Sequence, residues 1–176
     1  MSMLDFVNFR VCPRCGETRL QPNDAKSFVC LSCGFVYYHG SAAVVSAIVE
    51  CDGKIILTRR TNEPQKGLWA LPGGFVDYEE SLEDALIREL QEELDLTVTS
   101  PAYLCSDWER YLSRDVVYFC SIAFFVVKVN DISHVSAHDD IDAFQLIQPG
   151  DIDHDQLAFK TDLVALDRYR KQIDSR

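Results

Sequence analysis

An α+β or α/β sandwich, preceded by a small cysteine-rich module, is the fold class that this sequence predicts. Four cysteines form two Cys-x2-Cys pairs within the first 40 residues. The rest of the chain mixes apolar, β-branched segments typical of strands with two amphipathic segments of helical period. With 176 residues, the chain can bury a substantial core without disulfides. We therefore expect two units, residues 1–40 and residues 41–176.

The predicted strands are apolar runs bounded by turn residues. In chain order they cover residues 42–51, 54–60, 68–71, 103–111, 115–129 and 141–147. Asp52 and Gly53, between the first two strands, favour a tight hairpin turn. The run 115–129 is strongly apolar, but its β-branched and aromatic residues favour a buried strand over a membrane span.

Two helices are predicted, over residues 81–94 and 161–173. Ser81 can cap the first helix, and Asp95 is of a residue type that accepts the left-handed conformation in which many helices end. On a helical wheel the first helix has a broad apolar arc made of Leu82, Ala85, Leu86, Leu90 and Leu94. The second helix places Leu163, Leu166, Tyr169 and Ile173 on one side.

Three glutamates share one face of the first helix. Glu89 and Glu93 project into the apolar arc, and Glu92 lies at its border. Like charges four residues apart repel each other, and burial of unpaired carboxylates is unfavourable. A divalent cation such as Mg²⁺ or Mn²⁺ resolves this conflict, because hard oxygen ligands suit it. The alternative is an ordinary acidic surface helix, but the wheel position favours metal binding.

The residues around this helix resemble a known motif. The matching positions are Gly74, Glu80, Arg88-Glu89-Leu90, Glu92-Glu93 and Leu96. Their spacing resembles the Nudix box, and the preceding Leu71-Pro72-Gly73-Gly74-Phe75-Val76 is also similar to that family. One position departs, because this chain has Asp95 where the family usually has glycine. The resemblance implies an α+β fold of the Nudix type, an αβα sandwich with a mixed sheet.

The resemblance also implies roles for individual residues. Glu89, Glu92 and Glu93 would bind Mg²⁺ or Mn²⁺ with the Gly73 carbonyl, while Arg88 and Glu80 would orient the glutamates. The metal would neutralise pyrophosphate oxygens and activate a water molecule. The group that takes the proton from this water stays open between the three glutamates and a loop acid, for which Asp139 is the first choice.

The N-terminal cysteines have the spacing of a zinc site. Cys12, Cys15, Cys30 and Cys33 would complete the tetrahedral shell of a structural Zn²⁺. A zinc ribbon ahead of a Nudix domain resembles the NADH pyrophosphatase family, although its Ser-Gln-Pro-Trp-Pro-Phe-Pro motif is absent here. We expect a structural role or a homodimer contact for the ribbon. The alternative is a docking module for nucleic acid or protein.

The charge of the chain limits its partners. A net charge of −11 and a pI near 4.7 disfavour binding to nucleic-acid backbones and anionic membranes. Residues 1–10 lack a basic start followed by an apolar run, so we expect no signal peptide. We accordingly expect a soluble, cytoplasmic protein with a small-molecule nucleotide substrate.

The function we predict is metal-dependent hydrolysis of the pyrophosphate bond in a nucleoside diphosphate linked to another group, such as ADP-ribose or an NADH-like dinucleotide. The alternatives are a nucleoside triphosphate pyrophosphohydrolase and a regulator that senses nucleotides without turnover. We expect substrate contacts from Arg59, Trp69, Gly74 and Trp108, with Arg60, Arg110 and Tyr111 as further candidates.

Overall fold

The computed structural model describes residues 10–24, 26–114 and 116–174, and it contains two sheets and two α-helices. The strands are β1 (Leu20–Asp24), β2 (Ser27–Cys30), β3 (Val36–Tyr38), β4 (Ala42–Cys51), β5 (Lys54–Arg60), β6 (Trp69–Ala70), β7 (Ala102–Ser113), β8 (Val116–Lys128) and β9 (Ile141–Ile147). The helices are α1 (Leu82–Leu94) and α2 (Lys160–Asp174).

The N-terminal unit is a small antiparallel sheet of β1, β2 and β3. These three strands are not predicted from the sequence, because each has five residues or fewer and little hydrophobic alternation. The unit touches the larger sheet where the ring of His39 packs edge-on against Phe119, with centroids 5.5 Å apart. The segment 1–9, for which no signal peptide is expected, lies outside the described residues.

The larger sheet is mixed and has six strands. Its order is β6-β5-β4-β8-β7, with β9 on the other side of β5. β4 and β8 are parallel from Ala42 opposite Cys120 to Glu50 opposite Lys128, and the other pairs are antiparallel. The mixed sheet confirms the predicted fold class.

The two helices cover opposite faces of this sheet. Ala85, Leu86, Leu90 and Leu94 of α1 pack against one face, and Ala165, Leu166 and Tyr169 of α2 pack against the other. Alternate residues of β4 point to the two sides, so that Val49 contacts the α1 layer and Ile48 the α2 layer. The result is the expected αβα sandwich.

The ends of α1 form as predicted. The backbone N–H of Asp84 donates to Ser81 Oγ at 3.1 Å, and Asp95 adopts the left-handed conformation with φ 54°. Two helix positions differ from the prediction, since Leu82 and Ile173 are exposed rather than buried. Both lie in the terminal turns, where a helix extends past the edge of the sheet.

The strand predictions differ mainly at the ends. The predicted strand 103–111 extends to Ala102–Ser113, 115–129 shortens to Val116–Lys128, and 68–71 shortens to Trp69–Ala70. Residue 115, the predicted start of one strand, is outside the described residues. None of the helices within the described ranges has the length and apolar character needed to cross a lipid bilayer.

A gap between β4 and β5 positions the site. The two strands pair only near their hairpin, at Glu50 opposite Ile55 and Cys51 opposite Lys54. Farther along β4 the segment 72–76 takes the place of β5, because Ala47 donates to the Pro72 carbonyl and Val45 to the Gly74 carbonyl, both at 2.9 Å. A cavity opens where the strands separate.

Candidate active site

This cavity has a volume of about 360 Å³ and two chemically different ends. At one end lie acidic and loop residues, namely Gly73, Gly74, Asp77, Arg88, Glu89, Glu92, Glu93, Asp139 and Asp140. At the other end lie residues of the sheet face that α2 covers, of α2 and of the position just before it, namely Val44, Ser46, Glu109, Tyr111, Cys120, Ile122, Phe159, Thr161 and Asp162. We refer to these as the glutamate end and the α2 end.

Glu93 is the most deeply buried acid of the glutamate end, with 6% of its surface exposed. Its Oε2 accepts a hydrogen bond from the Gly73 backbone N–H at 3.0 Å. Burial raises the pKa of Glu93 to about 8, and the Gly73 hydrogen bond opposes this shift. The nearby charges of Glu89 and Asp140 raise the pKa further, while Arg60 lowers it. A cation near Glu93 would therefore relieve an unfavourable burial.

Arg88 links the acids of the glutamate end. Its Nε and Nη2 contact the two carboxylate oxygens of Glu80, each at 2.9 Å, in a bidentate pair. Its Nη1 donates to Glu89 Oε1 at 2.8 Å and to Glu92 Oε2 at 3.0 Å. Nη2 also donates to the Phe75 carbonyl at 2.9 Å. Arg88 thus fixes α1 to the preceding loop and brings two glutamates to one nitrogen.

The exposure of the other two glutamates matches their predicted positions on the helix. The side chain of Glu89 is 13% exposed and that of Glu92 is 47% exposed. Burial raises the pKa of Glu89, and the Arg88 hydrogen bond lowers it. Glu89 therefore points inward, as predicted, and Glu92 lies at the edge of the cavity.

Two glycines allow the backbone to approach this cluster. A Cβ on Gly73, whose φ is +140°, would lie 2.2 Å from the Val45 carbonyl oxygen. A Cβ on Gly74 would lie 2.5 Å from Oε1 of Glu89. The first contact is with rigid backbone and the second with a side chain, so only the second can be relieved by a local movement.

The loop between β8 and β9 closes the glutamate end from another side. The backbone N–H of His138 donates to the Glu93 carbonyl at 3.0 Å, which fixes the loop to the end of α1. Asp139 lines the cavity with a left-handed backbone, φ 53°, and Asp140 accepts from Asn62 Nδ2 at 2.6 Å. Asp142 points elsewhere and pairs with Arg59 at 2.7 Å.

The α2 end contains a second buried acid. Asp162 is 3% exposed, and its Oδ2 accepts from the Leu71 backbone N–H at 3.2 Å. Burial raises the pKa of Asp162 to about 7; the Leu71 hydrogen bond and the charge of Arg60 lower it, and the charge of Glu109 raises it. Glu109 itself accepts from Thr161 Oγ1 at 3.0 Å.

The four N-terminal cysteines converge on one point, remote in sequence from this cavity. Cys12 Sγ and Cys33 Sγ are 3.8 Å apart, and Cys15 Sγ and Cys30 Sγ are 3.7 Å apart. Disulfide sulfurs lie about 2.05 Å apart, so these are not disulfides. In the described part of the chain they are the one set of three or more ligating side chains whose ligand atoms lie within 4.8 Å of each other. This cluster could form a zinc site.

Comparison with known proteins identifies the family. A family model described as the NUDIX domain matches residues 38–167 of this chain. The chain belongs to the Nudix family. The match covers the large sheet, α1 and most of α2.

Several curated Nudix relatives are similar over part of their length. An ADP-ribose pyrophosphatase of Methanocaldococcus jannaschii is 49% identical over 61 residues, which are 35% of this chain and 36% of the relative. The CTP pyrophosphohydrolase of Escherichia coli is 43% identical over 76 residues, 43% of this chain and 56% of the relative. The human mitochondrial NAD(P)H pyrophosphatase NUDT13 is 30% identical over 109 residues, 62% and 31% of the two chains. The chain thus spans between about a third and just over half of these relatives.

Solved structures of the Nudix family share the fold. A NUDIX hydrolase from Nitrosomonas europaea gives a TM-score of 0.74 at 23% identity, covering 96% of this chain and 92% of that chain. The E. coli ORF135 protein gives a TM-score of 0.59 at 28% identity, covering 77% and 93%. These likenesses agree with the predicted Nudix sandwich.

The Nudix cavity brings together most of the predicted catalytic residues but not all predicted substrate contacts. Glu89, Glu92, Glu93, Arg88, Gly73, Gly74 and Asp139 line it, and Glu80 reaches it through Arg88. Arg59, Trp69 and Trp108 do not line it. Arg59 pairs with Asp142 and lies 6.0 Å from the Trp69 ring, and Trp108 is 65% exposed on the edge strand β7. Two further candidates, Arg60 and Tyr111, do line the cavity.

Asp162 is the most deeply buried acid among the cavity residues that were not predicted from the sequence. A signal for it was present, because Asp162 precedes Ala165, Leu166 and Tyr169 at helical spacing and so lies on the apolar side of α2. An acid on the buried side of an amphipathic helix was the same signal that identified Glu93. The missed residue therefore calls for its own functional explanation.

Proposed function

We propose that this Nudix chain hydrolyses the pyrophosphate bond of a nucleoside diphosphate linked to another group, with a divalent cation such as Mg²⁺ at Glu89, Glu92 and Glu93. The observation that carries the proposal is the buried carboxylate of Glu93, fixed by Gly73 and surrounded by further acids on one side of the cavity. An acidic cluster of this kind repels a pyrophosphate unless cations offset it.

The oxygen donors of the glutamate end suit the chemistry of a hard divalent cation, although the oxygens of Glu89, Glu92 and Glu93 do not all lie within 4.8 Å of one another. They offer carboxylate oxygens from one helix face, and the Gly73 carbonyl can add another, because β4 pairs with the carbonyls of Pro72 and Gly74 instead. Arg88 Nη1 donates to both Glu89 Oε1 and Glu92 Oε2, so these two carboxylates lie close enough to face one positively charged group, which supports the proposal. When bound, the metal would neutralise phosphate oxygens and lower the pKa of a water molecule.

The residues of the chain would then orient the reactants and accept a proton. Water forms a new bond to phosphorus, the P–O bond of the anhydride breaks, and the proton of the water passes to a carboxylate. The candidates for this base are Glu89, Glu92, Glu93 and Asp139, all of which line the cavity. Arg88 and Glu80 hold the glutamates in place through their bidentate pair.

The substrate class rests on relatives of known activity. ADP-ribose pyrophosphatase and NAD(P)H pyrophosphatase act on nucleoside diphosphates joined to a second group, and both names occur among the relatives of this chain. The similar E. coli CTP pyrophosphohydrolase supports a second candidate, a nucleoside triphosphate pyrophosphohydrolase. The two candidates release different products from the same kind of site.

A product assay with Mg²⁺ tests the proposal. The purified chain is given ADP-ribose, NADH, diadenosine polyphosphates and nucleoside triphosphates, and the products are separated by chromatography. A nucleoside monophosphate plus a phosphorylated partner is the expected result. Inorganic pyrophosphate from triphosphates alone would support the second candidate, and no cleavage of any substrate would contradict both.

For the cysteine cluster we propose a structural zinc ion. A tetrahedron of sulfurs about 2.3 Å from zinc places them about 3.8 Å apart, and the two observed separations are 3.8 Å and 3.7 Å. Four thiolates close the coordination shell, so the ion would stabilise the N-terminal unit, residues 1–40, rather than react. We also propose that this unit forms a homodimer contact. Sedimentation of the zinc-loaded chain would measure its oligomeric state.

A further inference from the structure

The α2 end of the cavity has an apolar floor that the proposed metal chemistry does not use. Val44 on β4 and Cys120 and Ile122 on β8 all point to the α2 face of the sheet and line this end. Val44 pairs with Ile122 across the parallel strands, so the floor is continuous. An apolar floor inside a polar cavity suits a planar, uncharged part of a ligand.

Aromatic rings form one wall above this floor. Tyr111 and Phe159 both line the cavity, with ring centroids 6.3 Å apart, and Phe75 packs edge-on against Tyr111 at 5.6 Å. The guanidinium of Arg60 lies over the Phe159 ring at 5.0 Å and within 3.4 Å of the Tyr111 hydroxyl. Such a wall can stack on a planar heterocycle, as aromatic and arginine side chains do with nucleobases.

Three oxygen-bearing side chains line the same space, the buried Asp162 and Ser46 and the half-buried Glu109. Asp162 and Glu109 are close enough to influence each other, and each uses one oxygen for a protein hydrogen bond, to Leu71 and Thr161 respectively. Ser46 is 6% exposed, and among the described residues its Oγ has no hydrogen-bond partner. A buried polar atom without a partner is rare in proteins, so a ligand group is expected to satisfy Ser46 Oγ.

We propose that the α2 end binds the base of the nucleotide and that Asp162 selects a base with an exocyclic amino group. This inference rests on the function proposed above and specifies its substrate. An amino group donates hydrogen bonds to the free carboxylate oxygen of Asp162 or Glu109, whereas a carbonyl at the same place presents a second acceptor. The phosphates would extend to the glutamate end, away from these two acids.

Ribose is the competing occupant of this end, because its hydroxyls also donate to carboxylates. The apolar floor and the aromatic wall favour the base, since a sugar has no flat π-face to stack. The two occupants predict different results when only the base is changed. A base-reading site distinguishes adenine from hypoxanthine, and a ribose site does not.

The test compares ADP-ribose with its inosine counterpart, in which a carbonyl oxygen replaces the exocyclic amino group and the adjacent ring N1 carries a hydrogen. The wild-type chain should cleave ADP-ribose with a kcat/KM at least about tenfold higher, because a site built to accept from an exocyclic amino group rejects an analogue that places a carbonyl oxygen there. In Asp162→Asn the amide can still accept from Leu71 N–H and can also donate to a carbonyl, so the preference should shrink or reverse. Asp167→Asn, an exposed acid on the same helix, is the matched control and should keep the wild-type ratio.

Binding separates a failure of this inference from a failure of the proposed function. Titration calorimetry with AMP and IMP needs no turnover, and AMP should bind at least about tenfold more tightly to the wild-type chain. If the chain cleaves no substrate yet prefers AMP, the inference stands and the proposed reaction fails. Equal binding of AMP and IMP, or an unchanged ratio in Asp162→Asn, overturns the inference.

Discussion

The backbone N–H of Gly73 donates to the Oε2 of Glu93 at 3.0 Å, across the turn that separates β6 from α1. Through this bond the segment 72–76 and the helix that carries the acids have one fixed relative position. The same carboxylate is nearly excluded from solvent. A change at either residue therefore alters the geometry of the site.

Glu93→Gln should reduce turnover by about a hundredfold or more while the chain stays folded. The glutamine oxygen can still accept from Gly73, but it cannot supply the negative charge that a cation requires. Steady-state kinetics with Mg²⁺ measure the loss, and circular dichroism checks the fold. Glu83→Gln, an exposed acid in the first turn of α1, is the control. Near-normal turnover in Glu93→Gln would refute its assignment as a ligand.

Alanine at the two neighbouring glycines should have different effects. Gly73→Ala should lower the free energy of unfolding by about 2–4 kcal/mol, because its Cβ meets the Val45 backbone at a strained φ. Gly74→Ala should fold but lose activity, because its Cβ displaces the Glu89 carboxylate. Urea unfolding and kinetics measure the two effects.

Gly150→Ala provides the control for both glycine variants. Its added Cβ would meet no heavy atom within 4 Å, and its φ is not positive. We expect wild-type stability and activity from this variant. Equal stabilities of Gly73→Ala and Gly150→Ala would show that the Gly73 backbone can relax, contrary to the packing described above.

Stability should fall as pH rises because of Asp162. Its pKa is raised to about 7 in the folded chain by burial, well above the usual aspartate value of about 3.9 in an unfolded chain. Between these values the folded state binds more protons, so the stability contributed by the protonated acid is present below pH 4 and is lost as pH approaches 7.

Asp162→Asn should remove this part of the pH dependence. Relative to the variant, the wild-type chain should lose at most about 1.4 kcal/mol per pH unit between pH 4 and pH 7. Urea unfolding at several pH values measures the difference, with Asp167→Asn as the control. If the stabilities of wild type and Asp162→Asn changed with pH in parallel, Asp162 would have the same pKa in the folded and the unfolded chain, which would contradict the prediction.

The cysteine cluster should hold one zinc ion per chain. Mass spectrometry under non-denaturing conditions gives the content, and Cys33→Ser should lower it and speed amide hydrogen exchange in residues 11–40. Cys51→Ser, a change at a buried cysteine outside the cluster, should keep the metal. Carefully prepared wild-type protein without zinc would exclude the proposed ribbon site.

The sequence predicted α1 and its acids well because the signals are local. Ser81 and Asp95 mark the two ends, and helical spacing alone places Glu93 on the buried side. The central strands were also predicted, since the hairpin turn and the apolar runs are read within a few residues. In such cases the chain neighbours of a residue determine its environment.

The remaining features depend on contacts between distant segments. Arg59 and Arg60 are adjacent on β5 and therefore point to opposite sides, and only the pairing of β5 with β9 and the position of α2 decide which one faces the cavity. Asp162 likewise lines the cavity because α2 packs beside the segment that contains Leu71, whose backbone N–H donates to Asp162. Strand register over such separations is not encoded in any single stretch of sequence.

The parallel pairing of β4 with β8 has a consequence for the chain as it is synthesised. A nascent polypeptide that has just completed α1 already contains the three glutamates of the proposed metal site, but β8, the parallel neighbour of β4, has not yet been synthesised. Contacts of this kind form late and slowly. The glutamates would thus reach their native positions only after β8 has left the ribosome and paired with β4. Metal binding at the proposed site would be delayed until then.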